Sequence, residues 1–292
     1  MKNIPLLRPK AILIAFISAA ITILFNFQAF TQEYRVKTIV IDAGHGGKDG
    51  STRGLYSTEK DVALKTALNL GAAIQANMKD VKVIYTRDED VFIPLYERIG
   101  IANEAKADLF ISIHCNDMPV YHSSVVTGYR KNSRGKKVPI YKTVSRKSTS
   151  TRGTETFVSG IGRVNEQDEA IKRENAAIFL EDNYKENYEG FGANASENAI
   201  ILSLMKNTFR TQSLRLAKFV QDEYVNSGRI NRGVQEKSLA VLARAGMPAI
   251  LTEIGFISNP EEEDYMNSED GQKEIVNCLL KAIESYRKSV EG

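Results

Sequence analysis

The chain has 292 residues, 39 of them basic and 36 acidic, with no tryptophan and only two cysteines. Residues 1–31 hold Lys2, Arg8 and Lys10 and no acid, so the remainder falls from a formal charge of +3 to 0 and gives no electrostatic reason to bind nucleic acid. Lack of tryptophan excludes sugar binding by a stacked indole. Cys115 and Cys278 are too few for a disulfide scaffold and read as buried thiols.

A basic start followed by the apolar run Ala11 to Phe27 has the order of a secretory signal. At about 17 residues the run lies at the lower edge of what crosses a bilayer, so an uncleaved anchor is the alternative to a cleaved signal. Ala29 and Thr31 place cleavage before Gln32, leaving an exported chain with no stable membrane span. The residues that follow, 32–292, suffice for one substantial core.

Apolar runs predict strands at Thr38–Asp42, Val81–Thr86, Leu109–His114 and Ala249–Glu253. Helical periodicity lies between and after them, at Glu59 to about Met78, Leu95–Lys106, Leu214–Tyr224 and Gln272–Lys288. Ser57 or Thr58 can cap the first helix, and Glu59 then sits in its first turn, where the helix dipole favours an acid. The expected fold is α/β: a central, mostly parallel or mixed sheet with helices on both faces, a single domain with a middle insertion.

The middle differs in charge. Met118 to Thr154 has no acid and nine basic residues, whereas Glu155 to Glu197 is rich in acids. These segments read as a basic hairpin or loop, about 123–153, followed by an acidic helical segment, about 160–205. Solvated insertion surface is the plain explanation of both.

Three predicted strands end in groups that bind metals or substrates: "IVIDAGH" in His45, "LFISIHCN" in His114 and "PAILTEIGF" in Glu253. Glu59 can return to the same edge through the loop 46–58. Two imidazoles and one carboxylate, with a fourth position left open, make a catalytic zinc shell, and His45, Glu59 and His114 match that count. The glycines around His45 have neither dinucleotide nor phosphate-loop spacing. A glutamate at the end of a buried strand is costly unless paired or used, so Glu253 is the candidate general base. Asp42 can orient His45 or fix its turn.

These residues lie in segments that together resemble the zinc-dependent N-acetylmuramoyl-L-alanine amidases of the bacterial cell wall. The matching pieces are "VIDAGHGGKDG", "TEKDVAL", "VIYTRDEDVFIPLYERIGIANEAKADLFISIHCN", "RGTETFV" and "VQEKSLAVLARAGMPAILTEIGFISNPEEE". The resemblance implies one zinc ion per chain on His45, Glu59 and His114, with Glu253 catalytic. It gives Arg87, Arg98 and Asn116 supporting places. Ala43 stands where the family commonly has proline, and Cys115 where it has a small residue.

The implied reaction cleaves the amide between N-acetylmuramic acid and L-alanine in periplasmic peptidoglycan, for wall remodelling or daughter-cell separation. Some members carry an inserted helix that occludes the zinc until a partner, here a periplasmic activator protein, moves it. The corresponding candidate is 165–184, with Glu174 or Glu181 as the inhibitory acid. The alternatives are a zinc peptidase or carboxypeptidase, in which Arg87 or Arg98 would clamp a terminal carboxylate, and a non-catalytic wall-binding protein. A glycosidase is disfavoured because it needs an acid pair flanking the sugar bond.

Overall fold

The computed structural model describes residues 35–148, 150–160, 169–188 and 198–292. The expected signal, 1–31, lies outside them, as do residues 165–168 of the acidic segment. No helix among the described residues is long and apolar enough to cross a membrane.

Six strands form the main sheet: β1 (Thr38–Ala43), β2 (Lys82–Tyr85), β3 (Leu109–Asn116), β6 (Thr154–Ser159), β7 (Asn231–Lys237) and β8 (Ala249–Phe256). Their order is β2-β1-β3-β8-β6-β7. The first four are mutually parallel, while β6 runs antiparallel to β8 and parallel to β7. The sheet is therefore mixed. The parallel register sets His114 directly beside Glu253, and the antiparallel one sets Glu155 on Glu253's other side.

Successive strand residues face opposite sides, and both sides are covered. Ile39, Ile41, Ile111 and Ile113 enter one core with Leu70 and Ile74 of α1 (Glu59–Asn77). Val220 of α5 (Asn198–Asn226) and Leu279 and Ile283 of α7 (Glu269–Glu291) close that side. Val40, Phe110, Phe157 and Leu251 enter the other core, covered by Leu95 and Ile99 of α2 (Leu95–Glu104) and by Val241 and Leu242. Burying such a side chain contributes roughly 1.5–3 kcal/mol, so the two cores are the main source of stability.

Asn259 caps α6 (Pro260–Asn267), accepting from the Glu261 and Glu262 amides, with proline in the first turn where its missing N–H costs nothing. Thr58 stands at the N-cap of α1, but its hydroxyl bonds Asp61 rather than a backbone amide.

The basic segment forms a separate antiparallel hairpin, β4 (Val120–Lys131) with β5 (Lys137–Lys147). The acidic segment corrects an expectation. Instead of one continuous helix over 165–184, the described part breaks into α3 (Glu169–Glu174), a 3-10 turn at Asn175–Leu180 and α4 (Tyr184–Asn187). Asn175 is buried and bridges to β7's exit, donating to the Ser238 carbonyl and accepting from the Ala240 amide, and Asn183 takes a left-handed φ of 56°. Those tertiary bonds and that turn outweigh local helical preference.

Candidate active site

The turn after β1 is built to aim His45. His45 has φ 57°, a backbone region that few side chains adopt. Two buried arginines hold it there through three successive carbonyls. Arg87 donates from Nε to Ala43 O (2.9 Å) and from Nη2 to Gly44 O (2.8 Å). Arg98 donates from Nη1 to Ala43 O (2.7 Å) and from Nη2 to His45 O (2.7 Å). With all these donors on backbone or on Asp42, neither arginine is arranged as a substrate clamp.

Asp42 serves Arg98, not His45. It accepts from Arg98 Nη1 at 2.9 Å, Ser112 Oγ at 2.5 Å and Thr86 Oγ1 at 2.6 Å. Burial opposes its charge, but Arg98 and the two hydroxyls outweigh that and hold the carboxyl below its ordinary range. His45 is oriented instead by Asp49, whose Oδ2 lies 2.8 Å from Nδ1 and leaves Nε2 facing inward. Sequence reading missed Asp49; its signal was an acid four residues beyond the histidine, across a glycine turn.

His114 comes from β3. A Cβ on Gly44 would lie 2.5 Å from His114 Cε1 and Nε2, so only glycine lets the ring pack there. Its Nδ1 faces Glu59 Oε1 at 3.2 Å and Glu174 Oε2 at 2.7 Å. Glu59, wholly buried, opens α1 and is fixed by the Thr52 amide at 3.1 Å and the Cys115 amide at 3.0 Å. The loop leading to it is held from far along the chain. Glu263 on α6 accepts from the Leu55, Tyr56 and Ser57 amides at 2.6, 3.0 and 2.8 Å.

His45, Glu59, His114 and Glu174 thus converge, each offering one ligand atom, all within 4.8 Å of one another. His45 Nε2 lies 3.2 Å from Glu59 Oε1 and 3.5 Å from Glu174 Oε2. Close as they are, His45 Nε2 and Glu174 Oε2 make no aligned hydrogen bond. Lone pairs that gather without pointing at each other suit a cation between them, and two imidazoles with carboxylates suit zinc.

Burial disfavours the imidazolium of His114, yet Glu174 and Glu59 outweigh it and push its pKa to about 9. His45 is likewise raised, burial being overcome by Glu59, Asp49 and Glu174. The carboxylates of Glu59 and Glu174 thus favour positive charge at this spot.

Beside this group stands Glu253, wholly buried, with Oε2 unpartnered. Burial first and Glu174 second push its pKa to about 8. Arg173, partly buried, spans both acids, with Nη2 3.2 Å from Glu253 Oε1 and Nε 2.8 Å from Glu174 Oε1. Nothing in the local sequence signalled this bridge. Asn116 donates to Glu155 Oε2 at 3.3 Å, and Arg232 Nε holds Glu155 Oε1 at 2.5 Å, forming a polar wall at the β3 and β6 ends.

Glu181 lies apart from the cluster, accepting from the Leu95 amide at 2.7 Å and the Tyr188 hydroxyl at 2.9 Å. The expectation that it shares a helical face with Glu174 fails because the 3-10 turn intervenes. Cys115 and Cys278 are both buried free thiols.

A mixed α/β sheet, beside whose strand ends two histidines and two glutamates converge next to a third buried glutamate, carries a metal-capable centre. Residues 39–285 match the family model described as N-acetylmuramoyl-L-alanine amidase, and the chain belongs to that family. It is 27% identical over 250 residues to the N-acetylmuramoyl-L-alanine amidase AmiC of Escherichia coli, covering 85% of this chain and 52% of that one. AmiC of Neisseria meningitidis is 29% identical over 261 residues, covering 86% and 53%. The chain thus spans about half the length of these two relatives. The crystal structure of N-acetylmuramoyl-L-alanine amidase from Clostridium difficile 630 superposes with a TM-score of 0.57 at 25% identity, covering 88% of this chain and 99% of that one.

Proposed function

We propose that this protein hydrolyses the amide between N-acetylmuramic acid and the L-alanine of the peptidoglycan stem, after export to the periplasm. The observation that carries the reading is the convergence of four ligand atoms within 4.8 Å, beside Glu253, in a chain of the amidase family. His45, Glu59 and His114 would hold one zinc ion per chain. Bound there, zinc would supply Lewis acidity toward the scissile carbonyl.

Glu253 does the proton work: its unpartnered Oε2 takes the proton from attacking water and returns it to the leaving nitrogen. Arg87, Arg98 and Asp42 keep His45 aimed, and Asp49 fixes its tautomer. Glu174, 2.7 Å from His114 Nδ1, would compete for the open position on the metal, and Arg173 pairs with Glu253, so α3 would hold the enzyme at rest until a periplasmic activator withdraws it.

The test is incubation of the zinc-loaded protein from Gln32 onward, as wild type and as Glu174→Ala, with a muropeptide. Release of the intact stem peptide supports the amidase. Release of a terminal amino acid would mean a carboxypeptidase, and binding without cleavage a wall-binding protein. Glu253→Gln should lower turnover by about 10²–10⁴-fold while bound zinc is retained. Wild-type turnover in a folded, zinc-bearing variant would refute its role.

A further inference from the structure

The β4–β5 hairpin takes no part in the site described above. It is rooted four residues beyond Asn116, at the strand edge that carries His114, and its two strands pair only with each other. Eight of the fourteen exposed large hydrophobic side chains among the described residues lie on it. Arg130, Lys131, Arg134, Lys136, Lys137, Lys142 and Arg146 share it with no acid, and none of them has an ion-pair partner among the described residues.

Cross-strand register sorts these side chains by face. Val126 with Tyr141, then Tyr129 with Pro139, are successive pairs on one face of the distal half, and Lys131 with Lys137 follows on the same face toward the tip. Val126, Tyr129 and Tyr141 are 48%, 66% and 63% exposed. Arg134 and Lys136 sit in the tip itself. The result is a small apolar, tyrosine-bearing patch rimmed at its outer end by cations. The opposite face, with Tyr121 beside Arg146 and Val125 beside Lys142, has its apolar and charged groups interspersed.

We propose that the distal half of this hairpin docks on an anionic phospholipid surface. Charge complementarity sets the sign: unpaired lysines and arginines with no neighbouring acid are drawn to acidic headgroups. The apolar patch sets the phase. A soluble polyanion would satisfy the cations but leave Val126 and the tyrosine rings in water, whereas a bilayer interface accepts both, with tyrosine suited to the boundary. Because the hairpin leaves β3 just past His114 and Asn116, docking would tether the catalytic edge close to the membrane.

The chain's lack of tryptophan provides the probe. Residues 35–292 contain both cores and the whole sheet and span what the solved relative has as an entire chain, so this unit is the one to use, free of the apolar leader. Tyr141→Trp and Tyr121→Trp, each a single indole on opposite faces, are mixed with vesicles of phosphatidylcholine with or without phosphatidylglycerol. A blue shift and quenching by brominated lipid are expected for Tyr141→Trp, only with phosphatidylglycerol, and much less for Tyr121→Trp. In sedimentation, replacing Lys131, Arg134, Lys136 and Lys137 by glutamine should each weaken partitioning about fivefold. Val126→Ser with Tyr129→Ser and Tyr141→Ser should abolish it while leaving turnover of a soluble muropeptide unchanged, which also reports folding. Absence of binding to anionic vesicles, or binding that survives both sets of substitutions, would overturn the proposal. So would equal binding to soluble polyglutamate without an emission shift, which would assign the hairpin to an anionic polymer.

Discussion

Arg98→Lys keeps a positive charge beneath the site and removes the geometry. The guanidinium reaches Ile93 O, Asp42, Ala43 O and His45 O from three nitrogens at 2.7–2.9 Å. A lysine has one nitrogen and cannot span the carboxylate and the His45 carbonyl together. At least two charge-assisted bonds are lost, and at about 1.5–3 kcal/mol each the expected destabilisation is roughly 3–6 kcal/mol. For a domain of this size that corresponds to a fall in Tm of roughly 10 °C. Freed from its carbonyl anchor, His45 should also relax from φ 57°, so zinc affinity should drop. Urea unfolding of the zinc-free protein gives the first quantity, and competition with a chelating dye the second. A loss below about 1 kcal/mol with unchanged zinc affinity would show that the arginine does not hold the turn.

Glu174→Ala should raise muropeptide turnover at equal zinc occupancy and Glu181→Ala should leave it unchanged; no increase in the former would remove α3 as a brake. Gly44→Ala should displace the His114 ring and lower bound zinc measured by elemental analysis, whereas Gly50→Ala, with open space around its Cβ position, should not; full zinc content in the first would refute the packing argument. The zinc-free protein should lose stability as pH rises. His114, raised to about 9 from an ordinary 6.5, contributes stability present in full below 6.5 and gone above about 9. Thermal melts in chelator over that window should show the decline, shallower in Glu174→Ala, and a flat wild-type profile would contradict it.

How far residues announce their role depends on whether the cause is local. β1, β3 and β8 were legible because continuous apolar runs have few other uses, and their last residues named the ends of the site. β6 and β7 were not. Thr154, Glu155 and Thr156 are buried polar groups satisfied by Gln221, Arg232 and Thr252, partners that no spacing rule supplies. β7 is a polar edge strand with a glycine inside it. Glu174 and Glu181 were indistinguishable by periodicity, and the bonds of Asn175 to the chain beyond β7 separated them. Asp42 looked like a histidine partner because it is near in sequence, but the strand's alternation turns it toward Arg98 and Ser112.

The grip of Glu263 on the loop before α1 also sets an order of events. Glu59 lies about a fifth of the way along the chain, yet the loop that delivers it owes three amide partners to a carboxylate more than 200 residues later. A polypeptide still emerging from a ribosome or a translocation pore lacks that acceptor, and its Glu59 loop cannot settle. The candidate site is therefore completed late, after nearly the whole sequence has arrived, and a prematurely terminated copy would leave the Glu59 loop without its anchor.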